Sequence, residues 1–182
     1  MTSLATSSSG AARRPAPVAR VRSWLGDWLV IGVWIGVLTA VGAFLVPRLD
    51  LPGASATSVR GLLVADLIFT LITVLPWWLY LSITEASRRR ATLGKRWAGL
   101  VVVGPTPGSA GRAVWGRNLV KASPWQLAHL GVSRMLFELQ TGWAVVFLVL
   151  SLALLAACAV PALTGGQGVH DRVAGTRVER AT

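Results

Sequence analysis

A chain of 182 residues in which 53% are hydrophobic and only 14% charged is too apolar for a soluble domain of that length. One cysteine, Cys158, excludes an internal disulfide and a cysteine metal cluster, and the two histidines, His129 and His170, stand too far apart for a local zinc motif. The net charge of +11 would point to nucleic acid in a soluble chain, but here the basic side chains flank apolar blocks, so membrane topology and anionic lipid account for them first.

Residues 1–19 are mostly Ser, Ala, Thr, Pro and Arg, with little apolar surface to bury, and are expected to form a disordered tail. Arg13-Arg14 is followed by Pro15, and the apolar block beyond lacks a small-residue cleavage pattern, so an export signal is not expected. The first membrane helix is expected over about residues 23–46, with Asp27 as its only charge and Trp24 and Trp28 as interfacial aromatics. After a link from Pro47 to Arg60, the second is expected over about 61–83, with Asp66 as its only charge. Its Pro76 predicts a kink whose freed carbonyl is satisfied by a neighbour.

Residues 85–116 form a basic segment expected on the cytoplasmic side. Between Glu85 and Lys121 eight basic side chains face Glu85 alone. Within it, Leu100–Val103 reads as a strand and Gly104–Gly108 as a turn. About residues 117–137 look helical but mix Arg117, Lys121, His129 and Arg134 with large apolar groups, which makes a weaker fourth segment, re-entrant, interfacial or a fourth crossing. The run from 142 to 163 is a strong third membrane helix, ended by Gly165-Gly166, and residues 179–182 are left as a C-terminal tail. The expected fold is therefore an all-α membrane protein: a helical bundle of three strong transmembrane helices and a weaker fourth segment.

Arg20 stands seven residues before Asp27; Ala91–Val102 reads A-T-L-G-K-R-W-A-G-L-V-V and is followed by the Arg112–Asn118 segment; His170–Val178 reads H-D-R-V-A-G-T-R-V. Taken in order across residues 20–178, these pieces resemble the RDD family of small multi-pass bacterial membrane proteins. The resemblance implies a membrane domain with a suggested role in transport and no established substrate. It marks Arg20, Asp27 and Asp171 as a candidate ion-pair cluster, with Arg22, Gly94, Lys95, Arg96 and His170 in support.

An aspartate inside a membrane helix needs a partner or water. Asp27 reads either as a cation or proton site or as half of an ion pair that orients the first helix. Its preferred partner is Arg20, with Arg22 in reserve, although about 10 Å of helix rise between Arg20 and Asp27 favours a partner on another segment. Asp66 lies near the opposite end of the membrane and is a weaker candidate. His129 would carry protons if it lay near Glu138 or an intramembrane acid. Cys158 reads as small packing material. Gly94-Lys95 lacks the earlier glycine and the following Ser or Thr of a phosphate loop.

No catalytic constellation emerges, and no metal or cofactor is expected. Two functions remain: transport of a small cation, proton or other solute, and a noncatalytic accessory or assembly subunit of a larger membrane complex. The expected location is the bacterial inner membrane, as a homo-oligomer or in such a complex, in contact with anionic lipid at the cytoplasmic face and with no nucleic acid. Both termini are expected in the cytoplasm, with the three motifs meeting at one membrane face and residues 175–178 pairing with Leu100–Val103.

Overall fold

The computed structural model describes residues 15–45, 48, 58–106 and 110–181, so most of the tail expected over residues 1–19 and most of the 47–60 link lie outside the described residues. Helix α1 spans Pro17–Leu45. It begins inside the expected tail and before the expected Ser23, because Pro17 supplies a preset φ at the first turn, and this places Arg20 and Arg22 on the helix itself. Its buried residues are Ser23, Asp27 and Ile31, a single stripe at four-residue spacing, and the rest of its surface is largely apolar and outward-facing.

Helix α2 (Val59–Phe69) starts at Ser58, whose Oγ accepts the Gly61 N–H at 3.2 Å. It passes through a π-helical turn at Thr70–Val74 into α3 (Leu75–Ala86). Pro76 has no N–H for the Ile72 carbonyl, and the Trp34 indole Nε1–H of α1 donates to that oxygen at 2.8 Å. The carbonyl that Pro76 frees thus has the neighbouring partner expected of it.

A cap of short elements follows: α4 (Leu93–Trp97) and β1 (Leu100–Val103). The chain then builds a long hairpin of α5 (Ala110–Leu136) and α6 (Thr141–Leu163), turned through Glu138 and Gln140 at φ 54° and 55°. Helix α7 (Val169–Ala174) and β2 (Arg177–Arg180) return to the cap, where β2 pairs antiparallel with β1, Leu100 opposite Arg180 and Val103 opposite Arg177. The strand begins later than the expected residue 175. Gly175, at φ 62°, closes α7, and the Thr176 N–H bonds back to the Asp171 carbonyl. Residues 179 and 180, expected in the tail, are therefore sheet.

Among the described residues three helices are long and apolar enough to cross a membrane: Pro17–Leu45, Val59–Ala86 as one continuous span, and Thr141–Leu163. Helix α5 is too polar to join them by composition, but it lies alongside them. It is continuous for 27 residues. Near its start Arg117 bonds Glu85 at one end of the α2–α3 span, and near its end Arg134 bonds Asp66 toward the other. About 28 Å of helix rise separates those two acids, so α5 runs antiparallel to that span through the same thickness. Its polar groups Arg117, Asn118, Ser133 and Arg134 are buried, while Leu119, Val132, Met135 and Leu136 face outward. Consequently the start of α1 and the C-terminal cap lie at one end of a four-helix bundle.

Helices α5 and α6 approach closely at Gly131, where a Cβ would overlap the Leu148 side chain and press on the Ala144 carbonyl oxygen. Ser151 Oγ donates to the Pro124 carbonyl at 2.7 Å in the same interface. Gly131→Val is expected to part the hairpin and destabilise the protein by about 1–3 kcal/mol, read as a lowered Tm in detergent. The adjacent Val132 faces away from α6, so Val132→Ala should leave Tm nearly unchanged.

Candidate ion network and cavity

The polar residues of the capped end form a chain of alternating charges. Lys95 Nζ lies 3.8 Å from Asp27 and 2.8 Å from Glu85, Arg117 Nη1 lies 2.5 Å from Glu85, and Arg117 Nε lies 2.7 Å from Asp171. All five side chains are buried. Each belongs to a different element, in the order α1, α4, α3, α5 and α7, so the chain of charges is also the junction of the bundle. Asn118 Nδ2 donates to Glu85 Oε2 at 3.1 Å.

Backbone close approach makes the junction possible. Gly94 presses on α1, and a Cβ there would collide with the Ser23 carbonyl and with Asp27. Only glycine permits Asp27 Oδ1 to accept the Gly94 N–H at 3.1 Å. Thr92 caps α4, its Oγ1 accepting the Lys95 N–H at 3.2 Å while donating to Asp27 Oδ2 at 2.9 Å. The Tyr80 hydroxyl donates to Asp27 Oδ1 at 3.3 Å and accepts the Leu93 N–H. Asp27 is thus buried and multiply bonded.

At the C-terminal side, Thr176 Oγ1 donates to Asp171 Oδ1 at 3.2 Å, and His170 Nε2 lies 3.5 Å from Asp171 Oδ2. Burial, with Arg117 adding repulsion, pushes His170 down to about 3, so its imidazole is neutral near pH 7. Burial opposes the charge on Asp171, but the Arg117 guanidinium, with His170 and the Arg117 and Thr176 hydrogen bonds, outweighs it and holds the carboxyl below its ordinary value.

A second cluster lies toward the other end. Arg134 Nη1 and Ser133 Oγ donate to Asp66 at 2.9 and 2.7 Å. His129 Nε2 is 3.4 Å from the same carboxylate and its ring stacks on Phe69 at 3.6 Å. The intramembrane acid that His129 meets is Asp66, and the two aspartates Asp27 and Asp66 belong to separate clusters.

Beside the network a half-open cavity of about 360 Å³ lies between α1, α5 and α6. Arg20, Lys95, Arg117 and Lys121 line it with Asp27 and Asp171, and Trp28, Ile31, Trp77, Trp125 and Leu155 form apolar walls. Arg20 Nε is buried without a hydrogen-bond partner. Lys121 makes no ion pair among the described residues and stands 6.0 Å from the Trp77 ring centre. No group of three or more His, Cys, Asp or Glu side chains placed to share a metal occurs among the described residues.

Of the residues singled out by sequence, Asp27, Gly94, Lys95, His170 and Asp171 come together. Arg20 reaches the cavity but does not pair with Asp27, because seven residues of helix rise hold them apart; Lys95 takes that place. Arg22 is exposed, 5.5 Å over the Trp97 ring, and Arg96 is exposed as well. Sequence reasoning missed Glu85, Thr92, Arg117 and Lys121 as members of the site. The signal for Glu85 was its solitude among eight basic residues, and Arg117-Asn118 closed the middle motif.

Arg117→Met is expected to leave Glu85 and Asp171 buried without their shared counter-charge and to cost about 3–5 kcal/mol, measured as loss of Tm or of folded yield in detergent. The pH dependence has one sign. His170 and Asp171 are both held below their ordinary values, so the stability they contribute is present above those values and is lost on acidification. Tm is expected to fall as pH drops below the ordinary His value of 6.5 toward about 3, with Asp171 adding to the loss below its ordinary 3.8. In His170→Gln the part of that fall above pH 4 should be smaller, and an unaltered pH profile would contradict the assignment.

Comparison with known sequences supplies one finding. A family model described as the RDD family matches residues 14–175, which includes every member of the ion network and both clusters. No curated protein and no solved structure gave a match. With most of its length matched, and with the three motif segments that suggested the resemblance lying almost wholly inside the match, the chain belongs to the RDD family.

Proposed function

We propose that the protein is a noncatalytic transport module of the bacterial inner membrane, that its solute enters the cavity between α1, α5 and α6 from the cytoplasmic side, and that the cavity favours anions. The observation that carries this reading is the unbalanced charge of the lining: four cations, Arg20, Lys95, Arg117 and Lys121, against two carboxylates, Asp27 and Asp171. The third acid of the network, Glu85, lies behind the lining and is already bonded to Lys95 and Arg117. With Glu85 counted the balance is four cations to three carboxylates, and the surplus lies with Arg20 and Lys121, which form no ion pair among the described residues; a cation at Asp27 would have to displace Lys95 and several hydrogen bonds.

The capped end is assigned to the cytoplasm because Arg20, Arg22, Arg88, Arg89, Arg90 and Arg96 belong to it, and the other end of α1 and α2 carries Arg48 and Arg60. In a Cys158→Ser background, Thr182→Cys should resist an impermeant thiol reagent in intact cells and react after permeabilisation. Labelling in intact cells would reverse the orientation.

Reconstituted in liposomes, the protein is expected to carry an anion with an apolar tail, such as a short-chain alkyl phosphate, in preference to inorganic phosphate, K⁺ or H⁺, and Lys121→Met should lower that flux at least tenfold with Tm retained. Flux confined to K⁺ or H⁺ would overturn the anion preference. Absence of any flux, together with a companion protein that co-purifies at fixed stoichiometry in mild detergent, would replace transport with the accessory-subunit reading.

A further inference from the structure

We infer that the cavity is a binding site for one anionic phospholipid, with the headgroup phosphate held by Arg20 and Lys121 and an acyl chain laid along the walls formed by Trp28, Ile31, Trp77, Trp125 and Leu155; this rests on the reading of the cavity as the ligand site. The charged residues of the lining gather at the capped end, where Trp24, Leu100 and Val178 also reach it, and Trp28, Ile31, Trp125 and Leu155 continue an apolar wall away from it. A ligand that matches both parts is amphiphilic, with its charge at the level of the membrane surface and its chain pointing inward. Basic pockets between membrane helices at the cytoplasmic side suit phosphate headgroups for this reason.

The two cations at the polar end are those the ion network leaves over. Arg20 Nε is buried and has no hydrogen-bond partner, and Lys121, 6.0 Å from the Trp77 ring centre, makes no ion pair among the described residues. A phosphate oxygen accepting from both would satisfy donors whose burial is otherwise costly. The cavity volume of about 360 Å³ falls within the roughly 300–1,000 Å³ of ligand pockets. The cavity is half open, and the exposed faces of α1 and α6 beside it are apolar, which is the surface along which a bilayer lipid would reach it. A free phosphate would use the cations but leave the apolar walls unoccupied.

The test is native mass spectrometry of the full chain purified in mild detergent and titrated separately with phosphatidylglycerol, phosphatidylcholine and inorganic phosphate. One phosphatidylglycerol is expected to be retained at least fivefold more than phosphatidylcholine, and inorganic phosphate should not compete at millimolar concentration. Arg20→Gln combined with Lys121→Met should remove that preference, while Arg96→Gln, an exposed cation at the same end, should keep it. Ala159→Phe fills the cavity without touching a charge and should also abolish retention, so the inference survives a failure of the charge variant to fold. Equal retention of the two lipids, or retention unaffected by Ala159→Phe, would overturn it. Competition by inorganic phosphate would make the site one for a free anion and overturn the acyl-chain half. Lipid retention without flux of any solute leaves this inference standing and removes the transport reading; flux without selective retention does the reverse.

Discussion

The alternating row Asp27, Lys95, Glu85, Arg117 and Asp171 is the constraint on which the bundle depends. Buried charges are costly to desolvate, and each is tolerable only while its partners stay in place. Lipid tails are as apolar as the helix exteriors, so apolar burial gives membrane helices little reason to associate, and directional polar bonds and close packing must do it. Every link in the row joins a different element. Removing one member strands its neighbours, which makes the junction cooperative in a way that scattered ion pairs are not.

The composition of α5 follows from the same constraint. A helix that supplies Arg117 and Asn118 to one buried cluster and Ser133 and Arg134 to another cannot have the hydropathy of a simple span, although it runs the same distance through the bundle. Its low hydropathy records buried polar partners, not exposure to water. The cap is likewise a consequence. Short α4 and α7 bring Gly94, Lys95 and Asp171 against the membrane helices, and the β1–β2 ladder fastens the two segments that carry them.

The parts of the fold governed by local rules were legible in the sequence. Three apolar runs gave three helices within a few residues, Pro76 announced an unsatisfied carbonyl, and a β-branched run at Leu100–Val103 with a closing Gly-Thr pair at 175 and 176 announced the strand pairing. What depended on rotation about helix axes was not legible. Arg20 and Asp27 share a helix face in projection but not a height, and which face of α5 points inward cannot be read from a segment whose polar and apolar residues alternate without a clean period. Lys95 as the partner of Asp27 follows only once Gly94 is known to touch α1, a contact between residues 67 positions apart that no local pattern encodes.

The two polar clusters set a condition on any passage through the protein. The cavity reaches from the ion network to walls formed by Trp28, Trp77 and Trp125, with Trp28 and Trp125 in ring contact at 5.4 Å. Beyond them lies the Asp66, His129 and Arg134 cluster, bonded within itself. A solute moving between the two would have to part the tryptophans, and thus move α1 relative to α5. Helix α1 is anchored at Asp27 by α4 and again at Trp34, where it bonds the carbonyl that Pro76 frees in the second span. Breaking that second anchor would strand the Ile72 carbonyl, which Pro76 already leaves without its helical donor, so the two contacts together hold α1 in place and any passage would have to overcome both.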